Sequence, residues 1–185
     1  MWDAPGLLAV DGYGELARCV AGLPLGGGIL RIVSADEGAA ATAFLIEGFP
    51  EFAGRAVPVA IDWLGRVFAV DRGRPQGLLL VEPGSGEAFE IDDSFAEFLD
   101  RSLVDDPELL EVDLYEGWLA AGGPAPPAGA CIGFKLPLFL GGVGSLDNLE
   151  LTDLDVYWSL SAQLRRVTRD LPPGTTIGGF TVSDS

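Results

Sequence analysis

Residues 56–91 constrain the fold more than any other part of the chain. Four short apolar segments, Val57 to Ile61, Val67 to Val70, Gly77 to Val81 and Ala88 to Ile91, follow one another there. They are separated by turn-forming sequence: Asp62-Trp63-Leu64-Gly65 after the first and Glu82-Pro83-Gly84-Ser85-Gly86-Glu87 before the last. Short β-prone runs joined by Gly- and Pro-bearing connections predict an antiparallel meander.

Helical signals flank the meander on both sides. Tyr13, Leu16, Val20 and Leu23 recur at helical spacing until Pro24 stops the pattern, and a second helical stretch lies near Ala39 to Glu47. Gly26-Gly27-Gly28 leads into Ile29, Ile32 and Val33, which reads as a turn followed by a strand. A phosphate loop would instead follow a strand, open a helix and carry Lys-Ser/Thr. Ser94-Phe95-Ala96-Glu97 matches a capping box, with Phe95, Phe98, Leu99 and Leu103 facing the sheet. Asp106-Pro107-Glu108 predicts another helix start, with Leu110, Leu114 and Trp118 along one face. A last helix is expected from Thr152 or Asp153 to Leu171, with Val156, Leu160, Leu164 and Val167 on one face. Arg165, Arg166 and Arg169 suit its carboxyl end, and Pro172-Pro173 terminates it. The expected architecture is one α+β domain over residues 1–185, an antiparallel sheet meander packed against several helices. Gly122 to Pro127 is the only linker-like stretch and allows a soft junction at 122–129.

A chain with 48% hydrophobic residues can build a sizeable core, and its longest apolar stretches fall far short of a bilayer span. The amino-terminal sequence carries neither a basic n-region nor a long apolar h-region, so a cytoplasmic location is expected. Cys19 and Cys131 are isolated in apolar sequence and read as buried free thiols. Histidine is absent. That excludes Ser-His and Cys-His nucleophile pairs, an imidazole base and a His-bound metal. With 28 acidic residues against 11 basic ones, the formal charge of −17 argues against direct contact with nucleic acid or anionic membranes. It favours solubility or a basic protein partner.

Three constellations could carry chemistry. Asp147, Glu150, Asp153 and Asp155 could hold a hard cation, yet no calcium-loop spacing is present and helix capping accounts for them more simply. The pairs Asp92-Asp93 and Asp105-Asp106 invite acid/base chemistry, but sequence neighbours at helix caps seldom converge on a substrate. Lys135 has no partner nucleophile nearby in sequence, and a lysine that snorkels or pairs with an acid is the better reading.

The segments FPEFAGR (49–55), DWLGRVFAVD (62–71), LLLVEPGSGEAFEI (78–91), CIGFKLPLFLGG (131–142) and NLELTDLDVYWSLSAQL (148–164) occur in this order. Together they resemble the domain at the carboxyl end of type VI secretion DNase-immunity proteins and, more broadly, the SUKH immunity superfamily. The resemblance, taken to cover most of the chain after about residue 25, implies an α+β protein that binds and neutralises a cognate toxin, without catalysis or cofactor of its own. The family often has tyrosine where Phe134 stands, and a more charged segment where this chain has Val143-Gly144-Ser145. On this reading the expected partner is a protein toxin with a basic surface, a nuclease. The candidate contact residues are Asp92, Asp93, Asp105, Asp106, Glu108, Val143, Ser145 and Asp147, with no catalytic or metal-binding residue among them. The alternatives are a carboxylate-metal enzyme built on Asp147, Glu150, Asp153 or Asp155, and an oligomeric scaffold module.

Overall fold

The computed structural model describes residues 4, 7, 10–74, 77–102 and 106–171. The meander is there, with two further strands ahead of it. β1 (Pro24–Leu25), β2 (Leu30–Ile32), β3 (Ala56–Asp62), β4 (Val67–Asp71), β5 (Leu78–Glu82) and β6 (Glu87–Ile91) form one antiparallel sheet in sequential order. β7 (Ala130–Phe134) and β8 (Leu149–Asp153) pair separately as an antiparallel ribbon. The helices are α1 (Tyr13–Val20), α2 (Ala35–Gly48), α3 (Phe95–Glu97, continuing as a wider π turn to Ser102), α4 (Val112–Ala120) and α5 (Leu154–Thr168).

Both faces of the large sheet are covered, which explains why its central strands read as near-continuous apolar runs. Val57, Val59, Phe68, Leu78 and Leu80 pack with Tyr13, Phe95 and Phe98 on one side. Ile61, Val67, Ala69, Leu79 and Val81 pack with Phe44, Leu45 and Trp158 on the other. Pro58 is tolerated in a central strand because the β3–β4 register shifts between Pro58 and Ala60. Trp158 stacks on Phe44 at 5.8 Å between ring centroids and donates its indole N–H to Gly65 O at 2.8 Å. It thereby ties α5 to the β3–β4 turn.

Several helix expectations are corrected. α2 begins at Ala35, four residues earlier than its apolar pattern suggested, because Ser34 and Glu37 form a reciprocal capping box. The Ser94–Glu97 box forms, and Phe95 and Phe98 are buried as expected, but only one α turn follows it. Residues Pro107–Leu110 are a 3-10 turn, Asp106 makes no side-chain cap bond, and α4 starts only after Glu111 at φ 51°, ψ 46°. The cause is visible in the carbonyls. Leu109 O accepts from Arg66 Nη2 and Leu110 O from Trp63 Nε1, each at 2.8 Å, which diverts both from helical bonding. The stripe Val156, Leu160 and Val167 of α5 faces outward, while Leu154, Tyr157, Trp158, Ser161 and Ala162 face the core. The aromatic pair overrides the aliphatic period. Cys131 is buried, where burial pushes its thiol far up, but Cys19 is exposed. Leu103, Asp105 and the Pro172-Pro173 stop lie outside the described residues.

Candidate partner-binding surface

Two segments of the carboxyl-terminal half present the exposed acidic and apolar side chains that the sequence singled out. The first runs from Asp106 into α4. Buried Arg66 holds it in place: its Nε meets Asp62 Oδ2 at 2.6 Å, its Nη1 meets Glu82 Oε1 at 3.3 Å, and its Nη2 reaches Leu109 O. Asp62 Oδ1 in turn accepts from the amides of Leu64 and Arg66 at 3.0 and 2.9 Å. Trp63, fully buried, adds the bond to Leu110 O and packs its ring 4.9 Å from that of Tyr115. The Tyr115 hydroxyl reaches across to Gly27 O at 2.8 Å. These anchors leave Glu108, Glu111 and Asp113 around a shallow cleft of about 170 Å³, with Pro107 and Val112 completing its wall.

The second segment is the loop between β7 and β8. Asn148 gathers it: its side-chain oxygen accepts from Leu136 N at 2.9 Å, and its amide nitrogen donates to Leu136 O at 2.9 Å and Val143 O at 3.0 Å. Lys135, the chain's one lysine, donates through Nζ to Asp147 O at 2.9 Å. The loop folds so tightly that a methyl at Gly142 would stand 1.9 Å from Leu136 O. Apolar side chains are turned outward: Val143 is 67% exposed, Leu136 47% and Leu146 39%. A methyl at Gly117 would lie 3.5 Å from Leu146 Cδ2, so the loop's end rests against α4.

The two segments therefore meet through Leu146 and Gly117. Asp106 and Glu108 stand at the entry to α4, exposed Asp113 and Glu116 lie along it, and Asp147 follows Leu146. Val143 and Ser145 lie on the loop, with Ser145 N donating to Val143 O at 2.9 Å. Asp92 and Asp93 are placed elsewhere, at the end of β6, where Arg74 pairs with both Asp92 and Glu90. Asp105 lies outside the described residues. Sequence reasoning missed Trp63, Arg66 and Asn148, which position the surface without belonging to it. The only signal was polar residues set in otherwise apolar motifs. Among the described residues, no three His, Cys, Asp or Glu side chains converge as a metal site. Glu150 is exposed on β8, Asp153 precedes α5 without capping it, and Asp155 is exposed in its first turn. No helix of the described residues is long and apolar enough to cross a membrane.

The α+β fold thus places exposed carboxylates along the entry to α4 and exposed apolar side chains on the adjoining β7–β8 loop. Residues 90–165, which span both segments, match the family model described as T6SS immunity protein Tdi1, C-terminal. The resemblance holds on those residues, a shorter stretch than the five motifs suggested: FPEFAGR, DWLGRVFAVD and all but the last two residues of LLLVEPGSGEAFEI lie before it. A comparison with curated proteins found no match. Among solved structures, the fold is similar to the crystal structure of Atu4351 from Agrobacterium tumefaciens, with a TM-score of 0.58 and 12% identity. That likeness covers 88% of this chain and 82% of the other.

Proposed function

We propose that this chain is an immunity protein that binds and neutralises a cognate type VI secretion toxin, acting by occupation rather than by catalysis. The observation that carries the reading is the coincidence of two stretches. The residues matched by the family model, 90–165, include exposed Asp106, Glu108, Asp113 and Asp147 together with exposed Leu136, Val143 and Leu146.

The toxin this face suits is a nuclease. An enzyme that grips a phosphate backbone needs a basic surface, and a chain of net charge −17 is attracted to such a surface over a Debye length before contact. Val143, Leu136 and Leu146 then supply apolar burial. Asp106, Glu108, Asp113 and Asp147 pair with the toxin's cations around the rim, setting encounter rate and partner choice. Pre-ordering by Asn148 and Arg66 lowers the entropy cost of docking. The protein would work inside the cell that makes it or in sibling cells that the toxin enters.

The experiment is co-expression with each candidate secreted toxin encoded by a neighbouring gene. A complex that survives purification and relief of growth arrest are expected. Arrest undiminished, with no complex formed by any neighbouring toxin, overturns the reading.

A further inference from the structure

β6 is an open edge of the large sheet. It pairs with β5, and among the described residues no other backbone group meets it across its outer side. A bare edge offers its N–H and C=O groups to any extended segment that fits. Phe89, 44% exposed, and half-buried Ile91 face the same side as Leu80 and Leu78, their partners on β5.

Charge restricts what fits. Glu87 and Glu90 stand exposed along the edge, and they disfavour an acidic strand beside them. A second copy, of net charge −17 and with the same two glutamates, is a poor occupant. The chain carries an uncharged one. Residues 171–183, LPPGTTIGGFTVS, hold no acid and no base, and Thr175, Thr176, Ile177, Phe180, Thr181 and Val182 are strand-forming types.

The path of α5 delivers that segment to the edge. Trp158 donates to Gly65 O in the β3–β4 turn, and Arg165, seven residues later, donates to Gly86 O in the β5–β6 turn. Both turns lie at one end of the sheet, because successive strands are antiparallel. Seven helical residues rise about 10.5 Å, and two strand spacings measure about 9.6 Å. α5 therefore crosses the strands towards β6. Thr168, about 4.5 Å beyond Arg165, has passed the half spacing of about 2.4 Å that separates the β5–β6 turn from β6 itself.

We infer that residues 175–182 add to the outer side of β6 as a seventh strand, parallel to it, with Phe180 and Val182 beside Phe89 and Ile91. Pro172-Pro173-Gly174 stops the helix and turns the corner. The strand is parallel because it starts, like β6, at the β5–β6 turn. An extended chain from Leu171 to Phe180 spans about 30 Å, against about 17 Å for β6, so the reach is sufficient. The added strand covers Phe89 and removes the open edge. The inference goes beyond the toxin reading and needs no toxin.

Amide exchange and ring contacts measured by NMR on the full chain provide the test. Alternate amides of 176–182 and the outward amides of β6 should exchange at least about tenfold more slowly than in an unstructured peptide. Cross-peaks should join the rings of Phe89 and Phe180. Phe180→Pro/Thr181→Pro removes two neighbouring N–H groups, so whichever of them faces β6 is lost. The outward β6 amides should then speed up at least about tenfold while those of β4 stay slow. Peptide-like exchange across 176–182 in the wild type overturns the inference, as does the absence of Phe89–Phe180 cross-peaks. Both readings are taken on the unaltered chain and do not depend on how the variant folds. Unchanged β6 rates in a folded double variant also overturn it. So does a dimer joined through β6 with 176–182 unprotected, which would give the edge to a second copy.

Discussion

Replacing Arg66 by alanine is the sharpest perturbation of the structure that holds the candidate surface. The guanidinium is buried, satisfies the fully buried carboxylate of Asp62, meets Glu82 and caps Leu109 O. Burial by itself pushes the Asp62 carboxyl up, and Arg66 opposes that push. Without Arg66 an uncompensated charge remains in the interior, a situation that costs about 3–5 kcal/mol. For a protein of this length each kcal/mol shifts Tm by about 2–4 °C, so Arg66→Ala should melt roughly 6–20 °C lower. Calorimetry and urea unfolding measure this directly. The sign with pH is also set. In the variant, folded Asp62 holds its proton to higher pH than unfolded Asp62 does, so stability falls as pH rises through that window, and the deficit is smaller near pH 5 than near pH 8. Asp62→Asn/Arg66→Met, which removes both charges together, should recover most of the loss. A deficit for Arg66→Ala below about 1 kcal/mol, or a double variant as unstable as the single one, refutes the reasoning.

Asn148→Ala removes three hydrogen bonds that gather the 136–143 loop, each worth about 0.5–1.5 kcal/mol. It should lower toxin affinity more than it lowers Tm, and amide exchange at Leu136 should speed up. Asp71, whose carboxyl the Arg55 side-chain hydrogen bond holds below its usual range, stabilises the fold above its unfolded pKa, and that contribution is lost as pH falls through the folded value. Asp71→Asn should therefore lower Tm at neutral pH and flatten the acid limb of the Tm-versus-pH curve. Thiol labelling of the native protein should modify exposed Cys19 quickly and buried Cys131 only on unfolding.

How far the sequence was legible depends on the range of the interactions involved. The meander from Val57 to Ile91 and the box at Ser94–Glu97 were readable because their determinants are local: strand period, turn residues and a four-residue cap. The 3-10 turn at Pro107–Leu110 was not. Its conformation is imposed by Trp63 and Arg66, more than forty residues away in sequence, and no local pattern records that two side chains will claim its carbonyls. The orientation of α5 failed for a related reason. Both an aliphatic stripe and an aromatic one run along it; Trp158 found partners in Phe44, Phe49 and Gly65, and the Tyr157 hydroxyl accepts from Phe134 N. Of the candidate contact residues, Asp106, Glu108, Val143, Ser145 and Asp147 fall on the α4 and loop segments because they flank turns that pack together. Asp92 instead joins Arg74. Composition alone could not separate an acid on a docking rim from an acid in an ion pair.

Capture of a basic toxin by the exposed acids of α4 and the 136–147 loop is the proposed activity of this chain. Stopped-flow association of the purified chain with the toxin identified by co-expression, across a range of salt concentrations, tests it most directly against the variant Glu108→Lys/Asp113→Lys/Asp147→Lys. The wild type should associate faster as salt is lowered, and the variant should lose at least about tenfold in association rate with most of that salt dependence gone. Equal rates and equal salt slopes for the two proteins would contradict the claim.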